Sequence, residues 1–118
     1  MKNNIEKGLL GERKAQEYLK SKGYKIREIN YRTKLGEIDI IAEKSDTLIF
    51  VEVKTRTNVN FGFPYEAVSK RKLNKIVKCS LIYLKEKGLI NYQIRYDIIE
   101  VFLCDQTKIN HIENVFCI

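Results

Sequence analysis

The segment from Gly36 to Arg56 constrains the fold more than any other part of the chain. Two β-branched runs flank the short polar stretch from Glu43 to Thr47, the pattern of a hairpin. A turn centred between Ser45 and Asp46 sets Asp39 opposite Glu52, with their Cβ atoms roughly 5 Å apart. Lys54 lies two residues beyond Glu52 and points to the same face. Ile49, Val51 and Val53 line one face of the second strand; Leu48 and Phe50 begin the other, which then turns charged. Apolar residues on both faces mark a central strand covered on both sides. Charges in such a strand are costly unless they are paired or bound to a metal. An Asp facing Glu-x-Lys across a hairpin can hold a Mg²⁺ ion and leave the lysine to orient or polarise an incoming phosphate or water.

A chain of 118 residues has room for one compact domain spanning 1–118 and little more. With 44% hydrophobic and 31% charged residues it reads as a globular protein, not a disordered one. Its net charge of +7 favours a polyanionic partner, nucleic acid first, although a basic surface also serves solubility alone. Cys79, Cys104 and Cys117 are odd in number and widely spaced, which argues for free thiols in a reducing cytoplasm over disulfides or a zinc site. The N-terminal residues show no secretory signal, and no run is long and apolar enough to span a bilayer, so no membrane association is expected.

Ile5 to about Lys22 reads as a helix capped by Asn3 or Asn4 and ended by Gly23. Ile5, Gly8, Leu9, Ala15 and Leu19 share a broad face, and Glu12 falls in its middle. Taken alone, Glu12 is a rim residue paired with a lysine or arginine; with Asp39 and Glu52 also in need of a cation, a third metal-site carboxylate is the better reading. Tyr24 to Arg32 reads as a strand whose alternation slips between Ile26 and Ile29, a sign of a bulge or irregular edge. Glu37, two residues before Asp39, either supports the site or is a solvated strand-end charge.

Thr55 to Tyr65 is a polar and aromatic loop. Arg56, Asn58, Asn60, Phe61, Phe63 and Tyr65 can meet phosphates and bases, though packing is the first expectation for each aromatic. Glu66 to Lys87 gives the longest helix signal, with Gly88 as its stop and Leu73, Ile76, Val77, Ser80, Tyr83 and Leu84 on one face. Its first half is basic, and Lys72 borders the apolar face, from which it can reach over the sheet towards the acids or simply snorkel. Tyr92 to Cys104 is a strong strand in which Arg95 and Asp97 are expected to form a structural ion pair. Ile109 to Ile112 is a short returning strand, the tail packs back on the core, and His111 is assigned no role.

The order helix, three strands, helix, strand, together with Asp39 and Glu52-Val53-Lys54, resembles the PD-(D/E)xK nuclease superfamily. Gly11-Glu12, Asn30-Tyr31-Arg32, Gly36-Glu37-Ile38-Asp39, Phe50 to Arg56, Lys72 and Arg95-Tyr96-Asp97 resemble more closely the bacterial YraN-type family, UPF0102, over nearly the whole chain. Ile38 stands where the superfamily motif has proline. The resemblance implies an α/β fold of the restriction-endonuclease-like αβββαβ kind, a mixed central sheet flanked by helices. It implies metal-binding acids at Asp39 and Glu52, a catalytic lysine at Lys54 and a first-helix acid at Glu12, with the Val53 carbonyl helping to hold Mg²⁺ or Mn²⁺.

The expected activity is a metal-dependent DNA endonuclease acting on branched or otherwise structured DNA. Arg56, Lys70, Arg71, Lys72 and Lys75 would track the nucleic-acid backbone, Glu37 would support the acids, and a homodimer would suit a two-stranded target. The alternative is a nucleic-acid-binding module of the same fold without useful catalysis. A pure binder gains nothing from buried carboxylates facing a polyanion. A third reading, a satisfied ion network with a purely structural role, ranks last because such networks add little net stability.

Overall fold

The computed structural model describes residues 3–57 and 69–115. Helix α1 spans Asn4–Ser21, followed by strands β1 (Lys25–Thr33), β2 (Gly36–Lys44) and β3 (Thr47–Arg56). Helix α2 (Lys70–Lys87) then leads to β4 (Gln93–Phe102) and β5 (Lys108–Ile112). The strands lie side by side in chain order, β1-β2-β3-β4-β5. All neighbours are antiparallel except β3 and β4, which run parallel from Thr47↔Gln93 to Arg56↔Phe102. A parallel pair needs a long crossover, and α2 lies within it. This is the mixed α/β sheet with helices that the sequence led one to expect, and the expected returning strand at Ile109 to Ile112 is β5 at the edge.

Local chemistry sets the element ends. Asn3 caps α1, its Oδ1 accepting from the Glu6 N–H at 2.8 Å, and Ser69 caps α2 through the Lys72 N–H at 3.1 Å. Gly88 ends α2 with φ +63°, a left-handed conformation that glycine adopts without steric cost. The expected start of this helix at Glu66 lies outside the described residues. The β2–β3 hairpin pairs Ile40↔Val51 through Lys44↔Thr47, the register that follows from a turn at Ser45 and Asp46. The slip expected in the first strand appears as a register shift between Ile26 and Glu28.

The sheet separates two apolar layers. Ala15 and Leu19 of α1 pack with Ile40, Ala42, Ile49, Val51, Val53, Ile99 and Val101. On the opposite face Ile76, Cys79 and Tyr83 of α2 pack with Ile38, Ile41, Leu48, Phe50 and Tyr96. Strand β3 is therefore covered on both sides, and each large apolar side chain it buries contributes about 1.5–3 kcal/mol over exposure. The helix face is rotated from the one expected. Gly11, Ala15 and Leu19 are buried, whereas Ile5 and Leu9 are 76% and 56% exposed. Gly11 sets this rotation, because a methyl group there would overlap Thr55 Oγ1 on β3. The close backbone approach turns Ile5 and Leu9 outward.

At the far edge, Arg95 and Asp97 form the expected ion pair within a larger network. The Arg95 Nε donates to Asp97 Oδ1 at 3.0 Å and its Nη2 to Oδ2 at 2.9 Å. The Asn114 N–H donates to Oδ1 at 2.9 Å, and His111 Nε2 lies 2.7 Å from Oδ2. His111 Nδ1 shares a hydrogen bond with the Tyr18 hydroxyl at 3.0 Å, which ties the β4–β5 edge to α1. Burial works to raise the Asp97 carboxyl, but the hydrogen bonds from His111 and Arg95 outweigh it and hold the group below its ordinary value. His111 thus has a structural role that a lone histidine in a short strand does not advertise.

Candidate active site

Asp39 and Glu52 sit where β2 and β3 leave their regular ladder. Beyond the Ile40↔Val51 pair, the Asp39 carboxylate accepts the Val53 N–H at 2.8 Å. The side chain takes over a backbone donor's partner, which fixes the carboxylate against β3. Glu52 is only 5% exposed and ion-paired to Lys72 Nζ at 2.7 Å. Lys72 thus reaches over the sheet from α2, and its ammonium stands where a cation is needed.

Two adjoining clefts meet at these residues. One, of about 430 Å³, is lined by Glu12, Asp39, Glu52, Lys54 and Lys72, with Val53 at its floor. The other, of about 280 Å³, adds Glu37 and Lys75 to Asp39, Glu52 and Lys72. The structure thus brings together Glu12, Asp39, Glu52, Lys54 and Lys72, with Glu37 and Lys75 at the margin. Lys70 and Arg71 are exposed on the first turn of α2 and line neither cleft. Arg56 is committed elsewhere: its Nε lies 3.2 Å from Oε2 of Glu100, a carboxylate only 1% exposed, in the pair that ties β3 to β4. Asn58 to Tyr65 lie outside the described residues.

The electrostatics set the acids of the cleft against one another. Burial first, and then the Glu52 carboxylate, push the Asp39 carboxyl up to about 7, against the pull of the Val53 N–H and Lys72. Glu12 is raised by burial, then by Glu37 and Glu52. Burial lowers Lys54, and the neighbouring Lys72 adds to this. For Lys72 itself the hydrogen bond and charge of Glu52 overcome burial, and its value rises. Mutually repelling carboxylates, of which Glu52 is ion-paired to Lys72, fit a hard divalent cation, because all the donors are oxygens.

Asn30, part of the family resemblance but given no role by the sequence, also belongs to the site. It lies between the pairs Ile29↔Ile40 and Tyr31↔Ile38, beside Asp39, with φ +52°. With its amide nitrogen turned to the acids, as its surroundings demand, it donates to Glu12 Oε1 at 2.8 Å and Glu37 Oε1 at 3.2 Å. It thereby joins the first helix to the hairpin at the cleft. The signal was available: asparagine is among the few residues that tolerate a left-handed backbone, and it sits just past the slip in β1.

Among the described residues, one trio of His, Asp and Glu ligand atoms lies within 4.8 Å of one another: Asp97, His111 and Glu113. The cleft acids do not form so tight a trio, since Glu52 is turned towards Lys72. The Asp97 trio already has a cationic partner, because the Arg95 guanidinium contacts both Asp97 and Glu113. It is an ion network, and a cation there would have to displace an arginine.

The fold and this cleft define a mixed α/β protein with acids and lysines gathered at the end of a central hairpin. The profile of the Uncharacterised protein family UPF0102 matches residues 11–101, and the chain belongs to that family. It is 54% identical to a UPF0102 protein of Clostridioides difficile, covering 97% of this chain and 99% of that one. A UPF0102 protein of Caldanaerobacter subterraneus is 50% identical, with 92% and 93% covered, and one of Persephonella marina 42% identical, with 93% and 92% covered. No helix among the described residues is long and apolar enough to cross a membrane.

Proposed function

We propose that the cleft is the active site of a metal-dependent endonuclease of the PD-(D/E)xK kind, acting on DNA with structured or branched targets foremost. The observation that carries this reading is the placement of Asp39, the buried Glu52 and Lys54 in one cleft with Lys72 as their counter-charge. Carboxylates gathered against burial in a chain of net charge +7 work against nucleic-acid binding unless a cation joins them. Asp39, Glu52 and Glu12 would hold Mg²⁺ or Mn²⁺, with help from Val53. When bound, such an ion lowers the pKa of water and offsets charge on a phosphoryl oxygen.

The chain's own residues supply the rest. The Val53 N–H keeps the Asp39 carboxylate facing the cleft. Asn30 holds Glu12. Lys54, its charged form disfavoured by burial, gains most when it meets the developing negative charge of a phosphate in the transition state. Lys72, released from Glu52, and Lys75 offer charge to the neighbouring phosphates, and Lys70 and Arg71 extend the basic track along α2.

The test is cleavage of labelled duplex, single-stranded, flap and four-way-junction DNA with Mg²⁺, Mn²⁺ or EDTA. Asp39→Ala and Lys54→Ala proteins, purified identically, run alongside. Cleavage that requires metal and is lost in both variants is the expected result. Cleavage equal in variants and parent assigns the activity to a contaminant. Binding of junctions without cleavage would favour the module that binds but does not cut.

A further inference from the structure

Two glycines in α1 stand in opposite circumstances. Gly11 is buried against Thr55 and has no room for a side chain. Gly8, three residues earlier, would place a Cβ within 4 Å of nothing among the described residues. Its backbone is helical, so packing and conformation both allow alanine there. Glycine inside a helix is nevertheless the least favourable ordinary residue. Its presence at Gly8 therefore has no source in the stability of the described fold.

The cleft supplies one. Asn4, Gly8 and Glu12 succeed each other at helical i, i+4 spacing, and all three line the larger cleft, with Lys7 beside them. The wall running from the acids along α1 is therefore low at Gly8 and carries an ammonium at Lys7. Thr57 lines the same cleft at the end of β3.

We infer that this wall is the subsite for the sugar–phosphate backbone of the bound strand. Gly8 lets that backbone approach the helix, and Lys7 meets a phosphate next to the scissile one. The inference rests on the nuclease reading and adds to it the path of the strand away from the acids. It makes Gly8 a determinant of substrate fit, and its bare backbone a feature kept at the expense of helix stability.

The experiment compares the parent with Gly8→Ala, Gly8→Met and Lys7→Ala. Thermal melting without ligand is read beside anisotropy of a labelled DNA duplex and a labelled four-way junction, both with Ca²⁺ present. An unfilled space predicts that Gly8→Ala raises Tm by about 3 °C. The same Gly8→Met protein that melts no lower than the parent should bind DNA about tenfold more weakly, and Lys7→Ala should lower the salt dependence of binding by about one phosphate contact. A fall in Tm for Gly8→Ala would show that the chain itself fills the space and would overturn the inference. So would Gly8→Met binding as tightly as the parent. A parent that binds neither DNA defeats the nuclease reading itself, an outcome distinct from unchanged binding by the variants.

Discussion

At the scale of single residues, Asp39 is the most constrained group in the cleft. Its carboxyl keeps a proton up to about 7 in the folded chain and releases it near the ordinary 3.8 when unfolded. Between those values the native state holds more protons than the unfolded state, so stability falls as pH rises. Asp39→Asn keeps an oxygen for the Val53 N–H and removes the titration. Without metal, the parent should lose on the order of 2 kcal/mol between about pH 4 and about pH 7, and the variant should lose less. Melting curves across that range check it, and an equal decline in both proteins would contradict the assignment. With Mn²⁺ present the slope should reverse, because the ion competes with the proton and binds more tightly as pH rises. Little of this was legible in advance. The hairpin register placed Asp39 opposite Glu52, but only the fold shows Lys72 on Glu52 and the Val53 N–H on Asp39. The role of Asn30 was hidden because its partners, Glu12 and Glu37, belong to two other elements.

At the scale of elements, the contact of α1 with β3 decides where Glu12 points. Gly11→Ala would drive a methyl group into Thr55 Oγ1, so the helix must lift or turn. The expected cost is about 1–3 kcal/mol, read as a lower urea midpoint with unchanged m-value. Metal affinity should fall with it, since Glu12 follows Gly11 directly. The same contact explains why the helix face was misread. Periodicity groups Ile5 and Leu9 with Ala15 and Leu19 within one broad stripe, and only the close approach at Gly11 chooses the rotation that leaves Ile5 and Leu9 exposed. Strands were more legible than helices. Alternation fixed the two faces of β3 and located the irregularity near Ile26, because a period of two permits no intermediate rotation. The ion pair of Arg56 was hidden for a different reason: its partner Glu100 lies on β4, and which charges a parallel neighbour brings alongside cannot be read from β3 alone.

At the scale of the whole molecule, the charge of +7 is unevenly used. Arg27, Arg56 and Arg95 are tied to Glu43, Glu100 and Asp97, and Lys72 to Glu52, while Lys70, Arg71 and Lys75 are exposed on α2. On the function proposed above, DNA binding should weaken steeply with salt, by about 0.9 decade of affinity per decade of salt for each phosphate met. Lys72→Met should reduce that slope by about one, and Arg56→Met should leave it unchanged while lowering Tm. A slope identical in the parent and the Lys72 variant would remove Lys72 from the interface.

The strand order follows the chain, and this bears on how the protein is made. The meander of β1, β2 and β3 closes through short connections, whereas β4 can join β3 only after the whole crossover containing α2 has been laid down. Local pairings form quickly and distant ones wait on the entropy of closing a long loop. A nascent chain can therefore pair β2 with β3, and bring Asp39 and Glu52 together, before α2 with Lys72 has left the ribosome and docked on the sheet. During that interval the acids face each other without the lysine that pairs with Glu52 in the finished fold.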